Sequence, residues 1–497
     1  MTERNSGVDD FTEQAALMEQ IQLNYKEKNY ILNTEIARGL NFDGITYPLD
    51  LYEKLAISCY RLKDKQLGGD IYRKMLIKAQ ADDTAEVAGT AGSPTKGTPV
   101  ESPATRLIDE IEARYDHTYD TMKYFYEPSS DPIGKVALVC YKTPAVPAWD
   151  PSATRTGLTG SEEAVVYAAR VLAEKGYEVL IFANPPAKST YTLPLNNPRY
   201  LDISVFDTQM IDNRPLGTFE MAVAWRRCDF VNVARISSKV YFWSHDMGSY
   251  KFSTERLSGC LLLSQYHKST FDRHVDLNEV PITYSGNGIV PAQFSKPKRF
   301  TNPYSCLYAS SYSRGLMILL ELWPDVLKQF PEATLDVYYG RQTWGALSEQ
   351  GMQQIDQKFK ELADKGVTER GKVGHVELAE AMQTASVLAY PCDSWAETFC
   401  ITVVKAQAAG MIPVTTRVGS LKEMVHPEAP TLEQVDNSAE SKAQYLELLL
   451  TTLRQIKEPE TELLRDKLIA FGSQFTWLRT VDMWLELHNK LVAQDNA

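Results

Sequence analysis

Ser394–Gly410, SWAETFCITVVKAQAAG, lies between two apolar, β-rich runs, Ser386–Tyr390 (SVLAY) and Met411–Thr415 (MIPVT). Short strands flanking a helix-length segment of Ala, Val and Gln read as one βαβ unit. The start of such a helix leaves backbone N–H groups unpaired and carries partial positive charge, which suits a phosphate. Glu397 stands at that start, where a carboxylate is better suited to gripping hydroxyls than to approaching phosphate. An acid beside a phosphate cradle points to a ligand that is both sugar and diphosphate.

The same alternation of strand and helix extends in both directions, the pattern of doubly wound sheets. Upstream, the predicted strands are Val136–Tyr141, Val179–Phe182, Met221–Trp225, Val240–Trp243, Leu261–Ser264 and Ile282–Tyr284. Thr159 and Glu162 form a Thr-x-x-Glu capping box opening a helix with Val165, Ala168 and Leu172 on one face, and Gly176 stops it. A second series runs through Cys306–Ala309, Leu335–Tyr339, Val387–Tyr390 and Ile412–Thr415. Two such halves predict a two-lobed α/β protein with a cleft between Rossmann-like domains.

Ahead of them, residues 11–80 carry apolar positions at helical spacing, among them Leu51, Leu55, Cys59, Ile71 and Met75. Leu51–Ala79 resembles a tetratricopeptide helix pair, with Gln20–Leu40 as a weaker copy; an unrelated helical cap is the alternative. Ala81–Pro103 is almost wholly small, polar, Gly and Pro residues and is expected to be a flexible linker. The expected division is 1–80 helical and tetratricopeptide-like, 81–104 linker, 105–132 connecting helix, 133–290 first Rossmann-like domain, 291–474 second, and 475–497 a final helix.

The 497 residues are enough for about three domains at roughly 150 residues each. A net charge of -12 argues against a nucleic-acid binder, and Lys296–Phe300 (KPKRF) reads as a solvated linker. Seven cysteines with no CxxC pair fit reduced, buried thiols rather than a disulfide framework or a zinc site. The polar Met1–Asp10 is no signal peptide, and there is no 18-residue apolar run. A cytoplasmic protein without a transmembrane segment is expected.

The Glu397 segment resembles the retaining nucleotide-sugar glycosyltransferases of family four, which have the GT-B fold of two facing Rossmann-like domains. Their motif is a Glu, seven residues, a second Glu, an Ala-rich helix, a Gly and a Pro-Val strand. Glu397, Ala406–Gly410, Pro413 and Val414 match it; the second acid is replaced by Lys405. The resemblance covers roughly Lys135 to the C-terminus and includes a final helix crossing back onto the first lobe.

It implies transfer from a nucleotide sugar, UDP- or GDP-linked, to a glycan or other hydroxyl acceptor, with retention, no metal and no cofactor. Glu397 would hold hydroxyls of the transferred sugar while the backbone of Thr398, Phe399 and Cys400 meets the diphosphate. Cys400 replaces a family Gly. Arg314, followed by Gly315, matches the second of two family cations, and Ala309 stands where the first belongs. Gly160, in the loop Gly157–Glu162 (GLTGSE), corresponds to a family loop against the donor phosphate. Gly374 and His375 match the base-binding loop. His245, in Trp243–Asp246 (WSHD), would contact the transferred sugar, with Asp246 polarising the acceptor or capping the chain.

Asn287-Gly288 reads as a structural turn and Glu423 as a structural cap. For Lys405 four roles stay open: binding ribose oxygens, adding charge beside the diphosphate, marking a changed nucleotide, or lying on an exposed helix face. Two rivals remain: a sugar-nucleotide epimerase of the same fold, and a non-catalytic scaffold whose helical N-terminal region binds a protein partner.

Overall fold

The computed structural model divides into two compact units, Met1–Phe125 and Tyr126–Ala497. It describes residues 132–142, 146–187, 189–192, 196–248, 251–294, 302–340, 347–393 and 397–496, with isolated positions at 19–21, 23, 24, 33, 36, 37 and 55. Those isolated positions are helical, and Asn24 donates to Asn33 Oδ1 at 3.0 Å. The expected tetratricopeptide pairs, the linker, the connecting helix and the KPKRF stretch lie wholly or largely outside the described residues.

The second unit contains two parallel sheets. In the first, strands β1 (Lys135–Cys140), β2 (Glu178–Ala183), β3 (Arg199–Asp202), β6 (Met221–Trp225), β7 (Val240–Trp243), β8 (Gly259–Leu262) and β9 (Ile282–Tyr284) lie in the order β3-β2-β1-β6-β7-β8-β9. A two-strand ribbon, β4 (Met210–Ile211) with β5 (Arg214–Pro215), sits apart. The second sheet, β12-β11-β10-β13-β14-β15, uses β10 (Ser305–Ala309), β11 (Thr334–Tyr338), β12 (Val367–Gly371), β13 (Val387–Tyr390), β14 (Ile412–Thr416) and β15 (Thr431–Leu432). Central strands such as MAVAW and VLAY are buried from end to end because helices cover both faces of each sheet.

In each sheet the winding direction reverses once, between β1 and β6 and between β10 and β13. At such a switch point the connections leave in opposite directions and open a crevice beyond the carboxyl ends of the strands, where ligands bind. Six helices matter for the site: α1 (Gly160–Glu174), α2 (Gln265–Phe271), α3 (Leu316–Gln329), α4 (His375–Thr384), α5 (Ile401–Ala408) and α6 (Trp477–Asp495).

Helix α6 packs on the first lobe. Trp484 meets Trp243 with ring centroids 4.5 Å apart and donates Nε1–H to Ser285 Oγ at 2.8 Å. Ile289 pairs with Thr476 beside it, and a Cβ on Gly288 would overlap the Thr476–Trp477 backbone. The Asn287-Gly288 turn is therefore a packing feature where the chain passes between the lobes.

Five strands were not anticipated: β3, β12 and β15 of the two sheets, and β4 and β5 of the ribbon. RYLD and VTERG carry charges because β3 and β12 are the edges of their sheets: Asp202, Glu369 and Arg370 lie at exposed or half-buried positions, and the buried Arg199 is paired to Asp212. The predicted Leu261–Ser264 strand is shifted upstream to Gly259–Leu262, since Ser264 is needed to cap α2 by accepting from His267 N. The expected capping box takes another form. Thr159 is the N-cap of α1, but no backbone N–H bonds its side chain; its hydroxyl donates to the Glu162 carboxylate instead. All six cysteines among the described residues are free thiols, five of them buried.

Candidate active site

The loops beyond β10 and β13 bring Arg314 and Glu397 together. Glu397 is buried, and its Oε1 accepts from Arg314 Nη1 at 2.5 Å and from the Tyr390 hydroxyl at 2.6 Å. Tyr390 ends β13, and Ser310 Oγ donates to its hydroxyl at 3.3 Å. Burial, reinforced by the Glu397 charge, pushes the Tyr390 phenol well above its ordinary range, so it remains a donor. Arg314 is fixed from behind, where the Tyr308 hydroxyl donates to its carbonyl at 3.0 Å. Gly315, with φ +84, lets this turn close, since a Cβ there would overlap the Pro391 carbonyl. That glycine serves packing within the lobe.

Four helices around the crevice begin without a side-chain cap: α1 at Thr159, α3 at Gly315, α4 at Gly374 and α5 at Cys400. Their first-turn N–H groups are thus not met by a cap, which makes these helix starts suited to anions. The starts of α1 and α5 face each other: a Cβ on Gly160 would lie 3.7 Å from Ile401 Cγ2.

Beyond β6 and β7 lies the first-lobe half. His245 is buried between Trp243 and Trp225, with centroids 4.7 and 6.0 Å away, and its Nε2 has no hydrogen-bond partner among the described residues. Burial, with Arg226 nearby, holds this imidazole well below its usual pKa, so it is neutral at pH 7. Asp246 is gripped by Arg226 through Nε and Nη2, both at 2.8 Å, and Arg226 Nη1 lies 3.5 Å from Glu162. Burial raises the Glu162 carboxyl to about 7.

The lobes touch through both loops. Thr398 Oγ1 donates to the His245 carbonyl at 3.3 Å, and Ser264 Oγ donates to the Thr398 carbonyl at 2.8 Å. Glu423 is indeed a cap, but of a helix in the other lobe: its carboxylate accepts from Gln265 N and Tyr266 N at the start of α2. A Cβ on Gly157 would come within 2.7 Å of the Val373 carbonyl, and one on Gly374 would overlap the Arg155 carbonyl. Gly374 therefore accommodates the opposing backbone.

Lys405 is buried, so the exposed-face reading does not hold. Its ammonium donates to Glu163 of α1, 2.6 Å from Oε1 and 2.8 Å from Oε2. His375 Nε2 lies 3.6 Å from the same carboxylate, while its Nδ1 is 3.2 Å from the Tyr167 hydroxyl. Burial lowers the His375 pKa to about 4, leaving it neutral beside the ion pair. Lys405, which replaces the expected acid, thus meets an acid across the interface. Sequence reasoning missed Glu163, Tyr390 and Arg226. The only available signal was the charged pair Arg226-Arg227 directly after the apolar strand MAVAW.

Residues 304–452 match the family model described as Glycosyl transferases group 1. No curated protein gives a significant sequence match. Among solved structures, a sucrose-phosphate synthase from Thermosynechococcus elongatus superposes with a TM-score of 0.52 at 16% identity, covering 72% of this chain and 99% of that one. AviGT4, a glycosyltransferase involved in avilamycin A biosynthesis, gives 0.50 at 15% identity, covering 73% and 98%. The pneumococcal O-GlcNAc transferase GtfA, solved with UDP and GlcNAc, gives 0.52 at 10% identity, covering 72% and 99%. The second unit is thus a two-domain α/β protein with a fold of GT-B type, and its second lobe is the part that resembles the glycosyl transferases group 1 model. Among the described residues no helix is long and apolar enough to cross a membrane.

Proposed function

We propose that this protein transfers a glycosyl group from a UDP- or GDP-linked sugar to an acceptor hydroxyl, on a glycan, with retention and without a metal ion or cofactor. The observation that carries the reading is the Arg314–Glu397 pair among four helix starts without side-chain caps. A guanidinium and convergent N–H dipoles stabilise the charge that grows on a departing diphosphate. Glu397 Oε1 is occupied by Arg314 and Tyr390, which leaves Oε2 for sugar hydroxyls.

In this reading the donor diphosphate draws Arg314 from Glu397 and rests against the backbone of Thr398, Phe399 and Cys400, with Gly160 opposite. The loop at Gly374 and His375 flanks the base. His245 contacts the transferred sugar and Asp246 the acceptor. The bond from the anomeric carbon to the diphosphate oxygen breaks, the acceptor oxygen bonds to that carbon on the same face, and the acceptor proton passes to the departing diphosphate. Lys405 acts through Glu163, fixing α5 against α1, rather than by touching ribose. A cytoplasmic site of action and a protein partner for the N-terminal helical region are part of the same proposal and rest on sequence alone.

Calorimetry with UDP and GDP tests the donor site, and the expected result is saturable binding of one of them. Glu397→Ala should abolish turnover of the matching nucleotide sugar while the protein melts as a folded chain. Binding of neither nucleotide would leave the scaffold reading standing.

A further inference from the structure

Arg226, at the carboxyl end of the first sheet, is held from several directions. It adopts φ +63, a left-handed conformation that costs free energy in a bulky residue and persists only where surroundings enforce it. Its N–H donates to the Trp243 carbonyl at 3.0 Å, and its guanidinium lies 5.2 Å over the Trp225 ring. The forked grip on Asp246 uses Nε and Nη2, and Nη1 reaches toward Glu162. Asp246 is fixed from a second direction as well. Its carbonyl accepts from Ser244 Oγ at 3.0 Å and lies 2.8 Å from His267 Nε2.

So thorough a hold is unusual for a residue whose side chain stays 41% exposed, against 2% for Glu162 at the other end of the same guanidinium. Each Asp246 oxygen takes one N–H from Arg226 and keeps further acceptor capacity. An exposed carboxylate held in place with acceptor capacity to spare suits a molecule that donates through hydroxyls. The same carboxylate repels an anion.

We propose that Arg226 is a positioning residue that presents Asp246 to the hydroxyls of a neutral, polyhydroxylated acceptor, and that Glu162 competes with Asp246 for the guanidinium. The proposal rests on the transferase reading and adds to it the residue that positions Asp246, the group that competes for that residue, and the absence of charge on the acceptor. Glu162 faces Arg226, Asp246, Lys372 from the loop before α4, and the Cys140 thiol at the end of β1, while Arg226 also acts on His245. Below pH 7 a neutral Glu162 leaves the guanidinium to Asp246. Above it the ionised carboxylate draws Nη1 away and loosens Asp246.

The test is equilibrium binding of maltotriose, cellotriose and chitotriose to the full chain without nucleotide, read by tryptophan fluorescence, with glucose 6-phosphate as the anionic probe. At least one neutral trisaccharide should bind saturably, more tightly at pH 6 than at pH 8, and glucose 6-phosphate should bind weakly or not at all. Arg226→Lys keeps the charge but loses the fork, and should weaken that binding roughly tenfold or more without changing the melting temperature. Glu162→Gln should remove the difference between pH 6 and pH 8. Equal affinity in wild type and Arg226→Lys, preference for glucose 6-phosphate, or no binding of any neutral probe would overturn the proposal. Because no nucleotide is present, failure here is distinct from failure of UDP and GDP calorimetry, which concerns the donor site.

Discussion

The helices of this protein begin in two ways. Away from the crevice, Ser348, Ser438 and Thr476 each accept a hydrogen bond from a backbone N–H in the first turn of the helix they open. Around the crevice, Thr159, Gly315, Gly374 and Cys400 do not. A side-chain cap is typically worth about 1 kcal/mol. Forgoing it four times around one space costs stability and leaves a ring of donors, which is the arrangement an anionic ligand needs. An uncapped start is not confined to the crevice, since the helix Pro459–Gly472 also begins without a side-chain cap; what sets these four apart is that they gather around one space.

That contrast can be broken experimentally. The largest effect is expected from Arg314→Ala, which removes the cation among the uncapped starts. Turnover of the matching nucleotide sugar should drop about 10²–10³-fold, as for other lost electrostatic donors, with little change in melting. If turnover stays near normal, the uncapped starts are not a diphosphate site. Next comes Gly374→Ala. Its methyl would overlap the Arg155 carbonyl of the opposing lobe, and the strain should cost about 1–3 kcal/mol in denaturant unfolding. Full stability would mean that the lobes do not need that close approach.

Ser438→Ala sharpens the comparison from the other side. It should cost about 1 kcal/mol of stability and leave UDP or GDP affinity unchanged in calorimetry. Cys400→Ser should have the smallest effect. A hydroxyl at the start of α5 offers that helix a cap of its own, adding a few tenths of a kcal/mol in thermal melting while weakening nucleotide binding slightly.

Much of this was legible in the sequence, for identifiable reasons. Buried parallel strands such as MAVAW and VLAY are continuous apolar runs, so they stand out. Edge strands β3 and β12 carry charges and do not. Arg314 and Glu397 were found because each sits in a local motif; that they bind each other across 83 residues was not readable. Lys405 shows the limit most clearly. Its partner Glu163 is 242 residues away in the other lobe, and no spacing rule links them. Arg226 was hidden for a different reason, since a left-handed conformation at a non-glycine residue leaves no trace in composition.

The packing of α6 also bears on how the chain is made. Strands β1–β9 are synthesised before the second lobe, yet Trp243 and Ser285 receive Trp484 only after the whole second lobe has been translated. Of the two lobes, the earlier to be made is thus the later to be closed. Until residues 477–495 arrive, the surface around Trp243 and Ser285 stays uncovered, and any chaperone attending synthesis has that patch to shield.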